Sequence, residues 1–189
     1  MKKTFKKLGA MLLALSMFGF AFADSSKPYQ GALDKFLRNA LGDFNCLYIA
    51  CPPEGKDIIN GMLQTTAMIS GTDLDELSSS VDQMIMMMGA SIAAESETEL
   101  TKDQLKTIRS FLNYVLENGQ DYKGKKIGEI LPITAGYEVG IQLYQFGTPQ
   151  SEDLTNIVVY KAGNEWFILK GAMSVIEQQL DAVSTPTEE

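Results

Sequence analysis

The sequence predicts an α+β domain built on a four- to five-stranded, mainly antiparallel sheet with helices on one face. Three observations carry that expectation. Apolar residues recur at helical spacing through the first two-thirds of the chain, as in Tyr29, Leu33, Phe36, Leu37 and Leu41. β-favouring runs gather in the last third, at Tyr137–Phe146, Leu154–Lys161 and Trp166–Gly171. The turn Ala162-Gly-Asn-Glu165 joins the last two of these as an antiparallel hairpin.

Pro28 opens the first helix, and Asn39-Ala-Leu-Gly42-Asp43 supplies its exit. Phe44-Asn-Cys-Leu-Tyr-Ile-Ala50 reads as a strand, closed by Pro52-Pro53. Helical spacing returns with Ile58, Ile59, Met62 and Leu63, and Ser70-Gly71 ends it. Thr72-Asp-Leu-Asp75 is a helix-start signature leading into a short turn or two. Val81-Asp-Gln-Met-Ile-Met-Met-Met88 suits either period: methionine favours helix, while the short length and the Gly89 stop favour a buried strand. Thr101-Lys-Asp-Gln104 is a capping box before the stripe Leu105, Ile108, Phe111, Leu112, Val115, Leu116. Gln120–Lys126 is a polar loop, and Pro132 keeps Ile127–Pro132 out of a central strand. Met173–Val183 forms the last helix, and 184–189 form a polar, disordered tail.

Residues 1–23 carry the pattern of an export signal. Lys2, Lys3, Lys6 and Lys7 precede an apolar stretch from Leu8 to Phe20, and Ala21-Phe22-Ala23 offers small residues before Asp24. The stretch is short for a membrane span, which takes about 20 residues. A single domain over 24–183, working in the periplasm or secreted, is the resulting expectation, with no transmembrane segment in the mature chain.

Four of the sixteen basic residues lie in that signal and all 24 acidic residues lie beyond it, which leaves the mature part at −12. That charge repels phosphate backbones and anionic lipid, so nucleic acid is excluded as a partner class. Asp73-Leu-Asp75-Glu76 and Glu95-Ser-Glu97-Thr-Glu99 lack the ligand spacing of a calcium loop. Histidine is absent, which removes Ser-His and Cys-His nucleophile pairs and imidazole metal sites. No catalytic or cofactor motif takes its place, and no cofactor is expected.

Cys46 and Cys51 stand in a C-x4-C spacing, not the C-x-x-C of thiol exchange. A disulfide needs Cα atoms within about 7 Å. Five residues of strand span roughly 16 Å and five of helix about 8.7 Å, so only a chain reversal would join them. Two free thiols and one small strained loop both stay open.

Asp43–Pro52, Gly71–Met86 and Asn156–Met173 resemble, respectively, the post-helix strand, the acidic helix running into a strand, and the closing hairpin and helix of the exported bacterial family known as domain of unknown function 4252. The resemblance implies an α+β domain of ferredoxin-like flavour with no catalytic residues to transfer, and hints at a role accessory to envelope signalling. The helices followed by a long antiparallel sheet are also similar to NTF2-like domains, which implies a ligand pocket between sheet and helices.

Two side-chain groupings stand out. On a strand, Met84, Met86 and Met88 share one face and would present three thioethers to Cu(I); as core, methionine fills irregular gaps, and the apolar neighbours Val81 and Ile85 favour core. Tyr144, Phe146, Tyr160 and Trp166 would line one sheet face as a binding platform or serve as ordinary core beneath the helices, with core again favoured. Lys123, Lys125 and Lys126 form the basic loop of an acidic chain. The sequence points to an exported, non-catalytic binding module with a protein partner at the cell envelope. The alternative is an NTF2-like small-ligand binder or an enzyme using Asp, Glu or Tyr. A filled core with a broad exposed apolar patch favours the first; an enclosed cavity with a buried carboxylate favours the second.

Overall fold

The computed structural model describes residues 27–118 and 130–184. Residues 1–26, which include the segment read as an export signal, residues 119–129, which include Lys123, Lys125 and Lys126, and residues 185–189 lie outside them. Helix α1 (Gln30–Ala40) forms on the expected stripe, with Tyr29, Leu33 and Leu37 buried. The strand expected over Phe44–Ala50 is instead a 3₁₀ helix. Asp43 decides this: its Oδ1 accepts from the Asn45 amide at 3.1 Å and its carbonyl accepts from the Cys46 amide at 3.1 Å, closing a tight turn. The buried residues Cys46 and Ile49 then fall three apart, which is the 3₁₀ period. Local capping outweighs the β preference of the segment. A second 3₁₀ turn, Pro53–Gly55, leads into α2 (Lys56–Ser70).

Gly71, at φ +65°, ends α2 in the left-handed conformation that only a residue without Cβ adopts freely, and the Thr72 amide returns to the Ala67 carbonyl at 3.0 Å. Helix α3 (Leu74–Met88) starts at Asp73, whose Oδ1 accepts from the amides of Asp75 at 2.8 Å and Glu76 at 3.3 Å. The run Val81–Met88 is the second half of this helix, not a strand. The cap nucleates at Asp73 and nothing between Leu74 and Ser80 breaks the helix, so the methionines inherit its conformation. Gly89 stops it at φ +52°.

Strand β1 (Ala90–Glu99) follows, in a segment whose Ala and Glu content hides its strand character. Helix α4 (Lys102–Asn118) opens with the expected reciprocal cap: the Thr101 amide donates to Gln104 Oε1 at 3.0 Å, and the Gln104 amide to Thr101 Oγ1 at 3.3 Å. Strands β2 (Ile133–Gln145), β3 (Thr148–Pro149), β4 (Thr155–Ala162) and β5 (Glu165–Lys170) and helix α5 (Met173–Ser184) complete the described chain. The sheet runs β1-β2-β4-β5 with β3 pairing β2, and every pair is antiparallel. The α+β architecture and antiparallel sheet are as expected. Chain-order, all-antiparallel neighbours leave no split parallel β-α-β unit, so the ferredoxin-like arrangement is not the one formed.

The helices cover both faces of the sheet, not one. In β4 the consecutive residues Ile157, Val158, Val159 and Tyr160 are all buried. Because successive side chains of a strand point to opposite faces, such a run needs cover on both. Ile157 and Val159, with Ile168, Ile92 and Val139, pack beneath α1. Val158 and Tyr160, with Phe167 and Leu169, pack with Ile108 and Leu112 of α4 and Met173 and Ile176 of α5. Tyr48 of the 3₁₀ segment touches both layers at the β5 edge.

Tyr160 stacks on Phe167 with ring centroids 5.6 Å apart, yet its buried hydroxyl has no hydrogen-bond partner among the described residues. A hydroxyl in that state contributes nothing to offset its own desolvation. Tyr160→Phe is therefore expected to be neutral or to stabilise by up to about 1 kcal/mol, since removing an unpaired polar group costs no bond. Urea denaturation checks this, and a clear loss of stability would reveal a partner for the hydroxyl.

Candidate functional site

Helix α2 contains no buried residue. From Ile58 to Thr72 the chain carries no ionisable side chain, so its outer faces are apolar or neutral. Met68 and Ile69 are 84% and 83% exposed. The helix rests mainly on the two 3₁₀ turns. Asn60, Leu63, Gln64, Ala67 and Met68 fall at i, i+3, i+4, i+7 and i+8, a single helical stripe. That stripe forms one wall of an open groove of about 830 Å³. The start of α3 forms the other wall, with Leu74 in the lining and Asp73 and Asp75 at its rim. Along α3, Met86 and Met87 are 72% and 78% exposed. Phe146, also largely exposed, lies at the Gly89 turn, where an added Cβ would stand 2.7 Å from its Cδ1.

Electrostatically this region is one-signed. Between Asp57 and Thr101 the sequence has eight carboxylates and neither lysine nor arginine. Two basic residues reach in from α1 and its approach: Arg38 pairs with Asp82, and Lys27 with Glu97 at 2.6 Å.

The structure does not bring the other sequence-nominated residues together. On a helix, Met84 and Met88 share a face while Met86 points away from both, so the three-thioether face required a strand that is not there. The aromatic face likewise divides. Trp166 packs with Tyr29 and Tyr137 at centroid distances of 5.8 and 5.9 Å on the α1 side, while Tyr160 lies on the α4 side. Tyr144 donates to Glu95 at the β1 edge, and Phe146 stands apart in a turn. Strand alternation separates these residues: Lys161, not Tyr160, is the register partner of Trp166.

Both cysteines are free thiols. The 3₁₀ segment extends between them without the reversal a bridge requires. Cys51 Sγ donates to the Tyr48 carbonyl at 3.0 Å, and Cys46 Sγ lies 3.6 Å from Asp43 Oδ2. Burial raises the Cys46 pKa, helped by the Asp43 charge, and burial pushes Cys51 up to about 11. Neither is a ready nucleophile at neutral pH. The acidic motifs have structural work: Asp73 caps α3, Glu95 accepts from Tyr144, and Glu97 accepts from Tyr29 and Lys27. Burial first, and then the Glu97 carboxylate, raise the Tyr29 pKa above its ordinary value.

Among the described residues, the buried carboxylate residue, Asp43, belongs to a clasp. It joins Arg38 of α1, the 3₁₀ segment, and Ser78 of α3. Burial opposes its charge, but the Ser78 hydroxyl and the Arg38 guanidinium outweigh burial and hold its pKa below the usual carboxylate value. Through this clasp α3 is tied to the body while α2 stays largely uncovered.

No family model, curated protein or solved structure matches this chain. The groove between α2 and α3 is the feature that sequence reading passed over. Its signal was present as fifteen consecutive residues without a charge on a helix-period segment in an acidic protein.

Proposed function

We propose that this chain is an exported, non-catalytic interaction module of the bacterial cell envelope, whose working surface is the uncovered face of α2 with the groove toward α3. The observation that carries this reading is a helix of fifteen residues with none buried and with Met68 and Ile69 almost fully exposed. Apolar surface left open costs about 25 cal/mol for every Å² that burial would have removed from water. A fold that leaves one face of a helix uncovered while filling two cores has that surface to offer a partner. Methionine suits the role, since its flexible thioether chain adapts to irregular apolar partners. Export rests on the composition of residues 1–23.

Two measurements test the reading. Because Met68 and Ile69 touch little, Met68→Ser with Ile69→Ser is expected to leave unfolding stability within about 0.5 kcal/mol of the parent, as for surface positions generally. A photo-crosslinking residue placed at 68 in living cells is expected to yield discrete protein adducts in the envelope fraction. The same residue at the exposed Arg109 of α4 should not. Adducts absent at 68, or equal at both positions, would refute the assignment of this face.

A further inference from the structure

We infer that the α2–α3 groove receives a basic amphipathic helix: a segment with an apolar stripe on one side and lysine or arginine flanking it. This rests on the interaction-module reading above and specifies the partner's chemistry.

Shape supplies the first argument. The groove wall is a single helical stripe of α2, with Leu63, Ala67 and Met68 as its apolar members and Leu74 opposite. The Gly71 turn, the first residues of α3 and Asn45 close the side facing this stripe, and an incoming helix matches such a stripe by placing its own side chains three and four apart along it. Ala67, small and one turn beyond Leu63 on the stripe, permits close approach of the incoming helix.

Charge supplies the second argument and selects among occupants. Asp73 and Asp75 line the groove, and Glu76 follows in the same helical turn. The stretch from Asp57 to Thr101 carries no positive side chain to balance them. A second copy of this chain would set one such acidic rim against another, and an anionic bilayer would be repelled in the same way. A partner with cationic flanks gains where those occupants lose. The apolar floor then provides affinity, and the acidic rim provides orientation and rate.

The experiment uses protein purified in the form its cells accumulate, with a fluorescent 18-residue helix of leucine and lysine as probe. A second probe replaces every lysine with glutamate. Fluorescence anisotropy at low salt is expected to show the lysine helix binding at least tenfold more tightly than the glutamate helix. That preference should shrink as salt is raised. Leu63→Ser with Met68→Ser is expected to weaken the lysine helix tenfold or more while leaving the far-ultraviolet spectrum intact. Asp75→Lys with Glu76→Lys should narrow the preference between the two probes.

Equal binding of the two probes, or loss of binding only with the charge variants, would overturn the inference. So would sedimentation showing that the groove is occupied by a second copy. Crosslinks at position 68 without binding of either helix would overturn the basic-helix inference and leave the interaction-module reading standing. Absence of both would sink the two together.

Discussion

Asp43→Ala is expected to destabilise the protein by about 3–5 kcal/mol, the cost of breaking a buried ion pair by removing one partner. Asp43 is only 2% exposed. Its Oδ2 accepts from Arg38 Nε and Nη2, both at 2.8 Å, and its Oδ1 accepts from Ser78 Oγ at 2.8 Å and the Asn45 amide at 3.1 Å. Alanine strips an acceptor from four donors at once and leaves the guanidinium half-sheltered. It also removes the cap of the 3₁₀ segment and the link between that segment and α3. Asp82 offers a contrast: it pairs with the same arginine but is exposed, so Asp82→Ala should cost below about 1 kcal/mol. Guanidinium denaturation of both variants beside the parent checks the pair, and equal midpoints would refute the clasp. The pH dependence has a definite sign. The folded pKa of Asp43 lies below its unfolded value, so its stabilisation is present above the ordinary carboxylate pKa and is lost as pH falls through the lower folded value. Asp43→Asn should therefore flatten the acid limb of stability, at pH below about 4, while leaving neutral-pH behaviour closer to the parent than alanine does.

Phe167→Ala carries the other large effect, expected at about 3–5 kcal/mol of stability for a fully buried aromatic ring. Phe167 has no exposed surface, stacks on Tyr160, and belongs to the core that fastens α4 and α5 to the sheet. Its loss leaves a cavity between the sheet and the helices α4 and α5, which the surrounding structure fills only in part. For a chain of this size the change corresponds to a fall in melting temperature on the order of 10 °C. Trp166→Ala should cost less despite the larger ring, because Trp166 is only partly buried at the margin of the α1 core. Thermal unfolding followed by far-ultraviolet circular dichroism ranks the two. A larger loss at Trp166 would mean that the α1 layer, not the α4–α5 layer, carries the fold.

Legibility in the sequence followed the range of the interaction that decides each element. The Thr101–Gln104 box, the hairpin at Ala162–Glu165 and the glycine end of α2 depend on neighbours within four or five residues, and all were readable. Ala90–Glu99 was not, because its strand conformation comes from pairing with Tyr137–Gln145, about fifty residues away, and only Ile92 reports burial. Phe44–Ala50 misled because composition argues for a strand, whereas one carboxylate at Asp43, held in place by Arg38 and Ser78 from two other helices, closes the turn. The candidate site was legible only as an anomaly of composition.

By itself the sequence determined the α+β class, the antiparallel hairpin and the acidic excess, since these follow from period, local turn chemistry and counting. Tertiary structure alone decided that helices cover both sheet faces, that Tyr160 and Trp166 part company, and that one face of α2 stands uncovered beside a groove. Each of those depends on which surfaces meet. A residue's period along the chain shows that it has an apolar face, and only packing shows whether anything covers it.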